Sequence, residues 1–352
     1  MEKTPEVANF FKAINFNKPE WIPGFVSLLP ATWLKYGKLL ERIVLAHPRL
    51  FPHYHQGDYL RMKIPRNYQK GRWVDVWGVT WEGLQEGLAN APVESLAPLQ
   101  DWSKLDSYQI PDPLQFDWTG ERINWAEREK QLQQAKSQGK IAAGGLPHGA
   151  MYMRLYYLRG FTNLMLDVAD NQTQLQKLIS LVCEYNRKLV DKWLSLGVEM
   201  MFFGDDLGLQ KSLPLSPENW RRYLKPAFFQ LFQPCRQQGV LVGLHTDGYI
   251  LDIIPDLVEC GVCLLNPQYR PNTLEGIKRY CQGVVAVNLD LDRQLFPFAS
   301  PQEIRQHVHH AFKSLYLPEG GLMLTAECAP DVPLANIAAI CDALEELGCR
   351  AV

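Results

Sequence analysis

From about residue 120 to its end the chain alternates between short apolar runs and longer stretches whose apolar residues recur at helical spacing. The apolar runs are Lys140–Leu146, Glu199–Gly204, Val240–His245, Val262–Asn266, Val284–Leu289 and Gly321–Ala326. Runs that are apolar almost throughout fit strands buried on both faces, and their alternation with helices fits a parallel sheet covered by those helices. Helices are expected over Arg122–Gln138, Gln172–Leu196, Ser216–Gln238, Ile250–Cys260, Thr273–Cys281, Pro301–Leu315 and Leu334–Leu347. Ser216-Pro217-Glu218 is a helix start in its own right, with a serine cap and proline at the first position.

The first third is less regular. Val7, Phe10, Phe11 and Ile14 predict an amphipathic helix over Pro5–Phe16. Trp21–Leu29 reads as a buried strand and Leu50–Tyr54 as a second, which brings the strands to eight. Alternation in YLRMKIP and RWVDVWGVTWEG, within Tyr59–Gly83, predicts a hairpin-like insertion, and the stretch to Pro113 reads as a long covering segment. Eight such units favour a closed (βα)8 TIM barrel, an α/β fold, with an N-terminal helix and a hairpin-containing insertion. A single domain over residues 1–352 is expected, with the early strands and insertion in about 1–120 and the regular units in 120–352. A hydrophobic content of 47% supplies its core. No glycine-rich phosphate fingerprint follows a strand, which argues against a dinucleotide fold.

A formal net charge of −2, with acids and bases interspersed, argues against a basic face for nucleic acid or an acidic membrane. The apolar runs fall far short of the roughly 18 residues a membrane span needs. Eight cysteines are scattered without a framework spacing, and no secretory leader opens the chain, so a cytoplasmic protein with reduced, mostly buried thiols is expected. Cys260-x-x-Cys263 is the one close pair, and alone it is weak evidence for redox or zinc chemistry.

The chemistry gathers where the apolar runs stop. GVLVGLHTDG (Gly239–Gly248) delivers His245 and Asp247, two residues apart, to one side of a strand end. MFFGDDLG (Met201–Gly208) ends in Asp205 and Asp206, and LMLTAEC (Leu322–Cys328) in Glu327 and Cys328. His148, Asn266, Asn288 and Asp290 occupy other strand ends. Active sites of βα barrels lie at these ends. Each such residue also reads as a helix cap or turn residue, and that reading is preferred for Asn266, Asp290 and Asp292. His245, Asp247 and Cys328 together offer an N/O/S zinc site with one position open. Only one of Glu327 and Cys328 can face the barrel axis; Cys328 is taken as the ligand, with Glu327 next. Asp205 and Asp206 diverge likewise, so one reaches the site while the other caps or orients. Trp73, Trp77 and Trp81, four apart on a strand, face one way, either as a packing cluster or as an aromatic wall for a substrate. His307, His309 and His310 are expected on a solvated helix face.

GDDLGLQKSLPLSPENWRRYLKPAFFQLF, GLHTDGYILDIIPDLVECGVCLLNPQ and the closing PDVPLANI resemble the uroporphyrinogen decarboxylase superfamily, and within it the cobalamin-dependent methyltransferases. The resemblance runs from about Lys140 to the end, with WGVTWEGLQEG as an earlier match, and implies the barrel independently. The decarboxylase carries an arginine-rich anchor for acidic side chains at its first strand, where this chain has VSLLPATW (Val26–Trp33) and no basic residue. Thiol-methylating relatives hold zinc with a His-x-Cys pair and a later Cys. Here His245 and Cys328 match, but Asp247 replaces the middle thiol, which makes any bound zinc a harder Lewis acid suited to oxygen.

The GDDLG and H-x-D-G motifs look most like the first methyltransferase of O-demethylases. That resemblance implies methyl transfer from a small methylated donor, a methoxylated aromatic, to cobalamin carried by a separate corrinoid protein. It implies zinc at His245, Asp247 and Cys328, with Asp205, Asp206 or Glu327 assisting the leaving oxygen. Trp77, Trp81, His148, Tyr152 and Met153 are the expected substrate-binding residues. The alternatives are a decarboxylase-type lyase, or a non-catalytic binder of tetrapyrroles or of a corrinoid protein. The size leaves room for a homodimer.

Overall fold

A computed structural model describes residues 2–348. They divide into two compact units, each made of discontinuous stretches. Arg72–Glu82 and Ala91–Leu265, with the chain start up to Val7, form the first; Ala8–Gly71, Gly83–Asn90 and the chain from Asn266 onward form the second.

In chain order the strands are β1 (Gly24–Leu28), β2 (Gly71–Val74), β3 (Thr80–Gly83), β4 (Ala91–Pro92), β5 (Ala143–Gly145), β6 (Met200–Gly204), β7 (Leu241–Thr246), β8 (Leu264–Pro267), β9 (Ala286–Asp290) and β10 (Leu322–Cys328). The helices are α1 (Pro5–Ile14), α2 (Pro30–Tyr36), α3 (Lys38–Ala46), α4 (Trp125–Ser137), α5 (Tyr152–Arg159), α6 (Phe161–Ala169), α7 (Thr173–Ser195), α8 (Pro217–Tyr223), α9 (Lys225–Gln237), α10 (Ile254–Cys260), α11 (Tyr269–Asn272), α12 (Leu274–Cys281), α13 (Pro301–Leu315) and α14 (Leu334–Gly348). The fold class is the α/β, βα-barrel type expected from the alternation.

In the first unit β5, β6 and β7 pair in parallel, in register Gly145↔Phe202 and Phe202↔Gly243. Cys263, the residue before β8, joins them through its N–H, which donates to the Val242 carbonyl at 2.8 Å. Side chains alternate across this sheet. Phe203 meets Phe232 of α9 with ring centroids 4.7 Å apart, so Phe203 faces the helix layer. Met200, Phe202 and Gly204 therefore share the opposite face. In the second unit β9, β10 and β1 pair in parallel, in register Leu324↔Leu289 and Leu28↔Cys328. Ser300 and Glu303 cap the start of α13 reciprocally, as sequence of this kind does when Ser precedes Glu by three.

The early chain departs from expectation in two places. Leu50–Tyr54 is not a strand: the Leu50 and Phe51 N–H groups both donate to the His47 carbonyl, and Tyr54 N–H donates to Phe51. Pro48 and Pro52 explain this, since neither can donate to a strand ladder. Likewise YLRMKIP starts as a short 3-10 turn, Asp58–Arg61, and the sheet of the insertion is instead the antiparallel set β2-β3-β4. Among the described residues seven strands of the parallel kind result where eight were counted. The helix expected over Ser216–Gln238 breaks at Leu224, because Pro226 restarts it as α9. His307 is not solvated: its ring packs edge-on to Tyr269 at 4.7 Å, its Nε2 accepts the Asp292 N–H at 3.1 Å, and burial pulls its pKa down to about 4. His309 pairs with Glu346 at 3.4 Å. The seven described cysteines are free and, apart from half-buried Cys263, buried; Cys349 lies outside the described residues. Among the described residues no helix is long and apolar enough to cross a membrane.

Candidate active site

The loops that leave β6 and β7 are fastened to each other. Asp205 N–H donates to the His245 carbonyl and Gly208 N–H to the Asp247 carbonyl, both at 3.1 Å. Leu207 N–H reaches Thr246 Oγ1 at 3.0 Å, and Tyr249 N–H reaches the Leu209 carbonyl at 2.7 Å. This contact requires glycine on both sides. A Cβ at Gly248, whose φ is +82°, would lie 2.1 Å from the Gly208 carbonyl oxygen, and one at Gly208 would lie 2.3 Å from the Tyr249 nitrogen. The GDDLG and HTDG motifs thus form one piece of backbone.

A third loop, from β5, lies beside β6. Leu146 N–H donates to the Phe202 carbonyl and Gly149 N–H to the Gly204 carbonyl. Asn186 of α7 holds the Ala150 carbonyl at 2.6 Å. His148 is carried over Gly204, where a Cβ would come within 2.7 Å of its ring.

Three side chains converge as a result. Ligand atoms of His148, Asp206 and His245 all lie within 4.8 Å of one another; His148 and Asp206 come from the loops just after β5 and β6, and His245 from the end of β7 itself. His148 Nε2 is 3.0 Å from Asp206 Oδ1, and the two imidazole centroids are 5.7 Å apart. His245 Nε2 lies 3.3 Å from Asp247 Oδ1. All four side chains are partly open to solvent. Burial alone would lower the His148 pKa, but the Asp206 carboxylate bonded to it outweighs burial and leaves it raised. Two imidazoles and a carboxylate can hold a divalent metal; without one, His148 and Asp206 form an acid–base pair.

The other expected site residues have these places. Asp205 is buried and accepts the N–H groups of Met151, Tyr152 and Met153 at 3.0, 2.6 and 2.8 Å, so it caps the start of α5. Burial pushes its carboxyl up to about 6, against the pull of those N–H groups and of His148. Asp206 is the acid that reaches the cluster, Asp205 the one that holds α5. Tyr152 is buried at the start of α5, and Met153 beside it is half-buried. Trp77 and Trp81 are 2% and 5% exposed, packed against Tyr185 and Tyr157 at 4.5 and 4.8 Å, and Trp81 also donates its Nε1–H to Asp75. In the second unit, alternation along β10 turns Cys328 toward the covering helix α14, fully buried with Cys341 among its neighbours, rather than toward the axis as expected; burial first, then Cys341, raises its thiol well above the usual range. Glu327 faces the other way and accepts from Arg293 at 2.9 Å. The ligand cluster therefore contains His148 and Asp206 with His245, where the sequence reading grouped His245 with Asp247 and Cys328.

Phe202 was missed by the sequence reading. It lies on the same face as Gly204 and is 42% exposed, although its strand neighbours Met201 and Phe203 are 0% and 6% exposed. Its signal was the pair of glycines, Gly145 and Gly243, at matching depth in the flanking strands.

A family profile described as Uroporphyrinogen decarboxylase (URO-D) matches residues 89–347. No curated protein sequence matches the chain. Among solved structures, a methyltransferase from Methanosarcina mazei superposes with a TM-score of 0.65 at 14% identity, covering 98% of this chain and 99% of that one. A B12-independent methionine synthase from Shewanella sp. W3-18-1, in complex with selenomethionine, gives a TM-score of 0.42 at 12% identity, covering 64% of this chain and 66% of that one. At 14% identity the likeness to the methyltransferase is one of fold. With strands that end in this His/Asp cluster and a family match over well over half its length, the chain belongs to the uroporphyrinogen decarboxylase family.

Proposed function

We propose that the chain is a methyltransferase that moves a methyl group from a small methoxylated aromatic donor to the cobalt of a separate corrinoid protein. The observation that carries this reading is the convergence of His148, Asp206 and His245. It is supported by the fold shared with a methyltransferase. The donor set fits zinc, which takes two imidazoles and a carboxylate in catalytic sites and leaves a position for substrate. Bound there, zinc supplies Lewis acidity toward an ether oxygen.

The chain's own residues do the rest. Breaking an O–CH3 bond by attack of a cobalt nucleophile on the methyl carbon leaves negative charge on oxygen, and stabilising that charge is the main demand on the site. The fastened glycine loops hold His245 and Asp206 in place, and Asp205 fixes the start of α5 beside His148. Asp247 stands against His245 Nε2, where it orients the ring or joins the ligand set. A metal-free reading has its own support in the 3.0 Å His148–Asp206 pair, because a protonated His148 would deliver a proton to the departing oxygen.

Metal content of the purified protein, beside His148→Ala and His245→Ala variants, tests the proposal together with methylcobalamin formation from cob(I)alamin and 2-methoxyphenol. Near-stoichiometric zinc, lost in both variants along with methyl transfer, is expected. Turnover without zinc that is abolished by Asp206→Asn would replace the metal by the acid pair. No methylcobalamin from zinc-loaded protein would sink the methyl-transfer reading.

A further inference from the structure

We propose that Phe202, seated between Gly145 and Gly243, is a specificity-determining residue that selects a planar aromatic ring for the site above it; this rests on the reading of that site as one that takes a methylated donor. Phe202 stands in the middle of the β5-β6-β7 ladder, where a phenyl ring is ordinarily covered by the side chains directly across from it. Here both positions are glycine. The ring edge leans over Gly243: a Cβ built there would lie 3.0 Å from Cδ1 and 3.2 Å from Cε1. On the other flank, a Cβ at Gly145 would lie 2.7 Å from the Phe202 carbonyl oxygen.

Glycine inside a strand weakens it and often marks a place where a ligand comes close to the backbone. Two glycines beside a 42% exposed phenylalanine leave an aromatic surface that no cross-strand side chain covers. Gly204 pairs with His245 in the next row of the same face. The backbone row that carries Phe202 thus lies about 7 Å along the sheet from the row that carries His245. A flat ring stacked or set edge-on against Phe202 would place its substituent toward the His/Asp cluster, and aromatic pairs gain from their quadrupoles what a saturated ring cannot.

The test is titration calorimetry of the full chain with 2-methoxyphenol and 2-methoxycyclohexanol, which carry the same substituents on an aromatic and a saturated ring. The parent is expected to bind the aromatic probe about tenfold more tightly. Phe202→Ala and Phe202→Leu should bring the two probes to parity, Phe202→Tyr should keep the preference, and Gly243→Ala, which pushes on the ring edge, should reduce it severalfold. Circular dichroism and unfolding midpoints check that each variant folds, and if Phe202→Ala does not, the milder Phe202→Leu decides. A tenfold preference that survives the loss of the ring overturns the proposal, and so does a parent that binds both probes equally or neither. Zinc measured on the same samples separates this from the metal reading. Ring preference lost with Phe202 in zinc-free protein upholds Phe202 and sinks the metal, whereas full zinc occupancy without ring preference does the reverse.

Discussion

Two carboxylate–cation pairs in the first unit have nearly the same length and opposite roles. Asp75 and Arg154 meet at 2.8 Å with side chains 0% and 3% exposed, and Asp206 and His148 meet at 3.0 Å with side chains 28% and 47% exposed. Asp75 also accepts the N–H groups of Trp77 and Val79 and the indole N–H of Trp81. Four donors saturate it, and the Arg154 guanidinium lies over the Trp77 and Tyr157 rings. Nothing is left for a ligand, so this pair fastens the insertion to α5. Asp206 keeps free acceptor capacity and faces solvent. Saturation and burial, rather than the identity of the paired residues, separate a structural ion pair from one available for chemistry.

The largest expected effect falls on the closed pair. Asp75→Ala strands a buried guanidinium and should cost about 3–5 kcal/mol in urea unfolding, whereas Asp206→Ala should cost under about 1 kcal/mol. Equal losses would erase the distinction between the two pairs.

Next in size is the effect on metal affinity. Asp247→Ala, which removes a neighbour of His245, should weaken zinc binding about 10–100-fold in a competitive chelator titration, and His245→Ala should weaken it further. Asp75→Asn in protein that remains folded should leave zinc affinity unchanged. If Asp247→Ala matches His245→Ala, Asp247 belongs among the ligands, as the sequence reading placed it.

Much of this was legible in the chain and some was not, for physical reasons that differ by residue. His245 was legible because an unbroken apolar run ending in H-x-D-G fixes both the strand and its end. Helix α13 was legible to the residue because Ser300-Pro301 and Glu303 mark its start. The parity of β10 was legible but overridden: Leu322, Leu324, Ala326 and Cys328 make one apolar face and Met323, Thr325 and Glu327 a more polar one, which already groups Cys328 with the buried side and leaves Glu327 on the other. The company of His148 was not legible, because three loops from different strands meet only after the sheet has formed. Leu50–Tyr54 reads as a strand from its apolar residues alone, but Pro52 within it and Pro48 just before it withhold ladder donors, and the segment turns instead. Phe202 went unnoticed because its exposure comes from glycines on other strands.

The smallest effect concerns the titration of the open pair. In metal-free protein Asp206 holds the His148 pKa above its ordinary value, while burial and the nearby His245 work the other way. Asp206→Asn removes the raising charge and leaves burial, so the imidazole, followed by NMR across a pH series, should titrate at lower pH than in the parent. A histidine whose pKa is raised by folding stabilises the fold while protonated in both states, below roughly pH 6.5, and that contribution disappears as pH rises through the folded value. The stability difference between parent and Asp206→Asn should therefore be greatest in mild acid and vanish at alkaline pH, and the ring's exposure keeps it under about 1 kcal/mol. Zinc affinity should move in the opposite sense, rising with pH as the proton that competes for His148 is lost. A His148 pKa unmoved by Asp206→Asn would mean that the 3.0 Å contact does not set the charge of the ring, and the open pair would lose its standing as an acid–base unit.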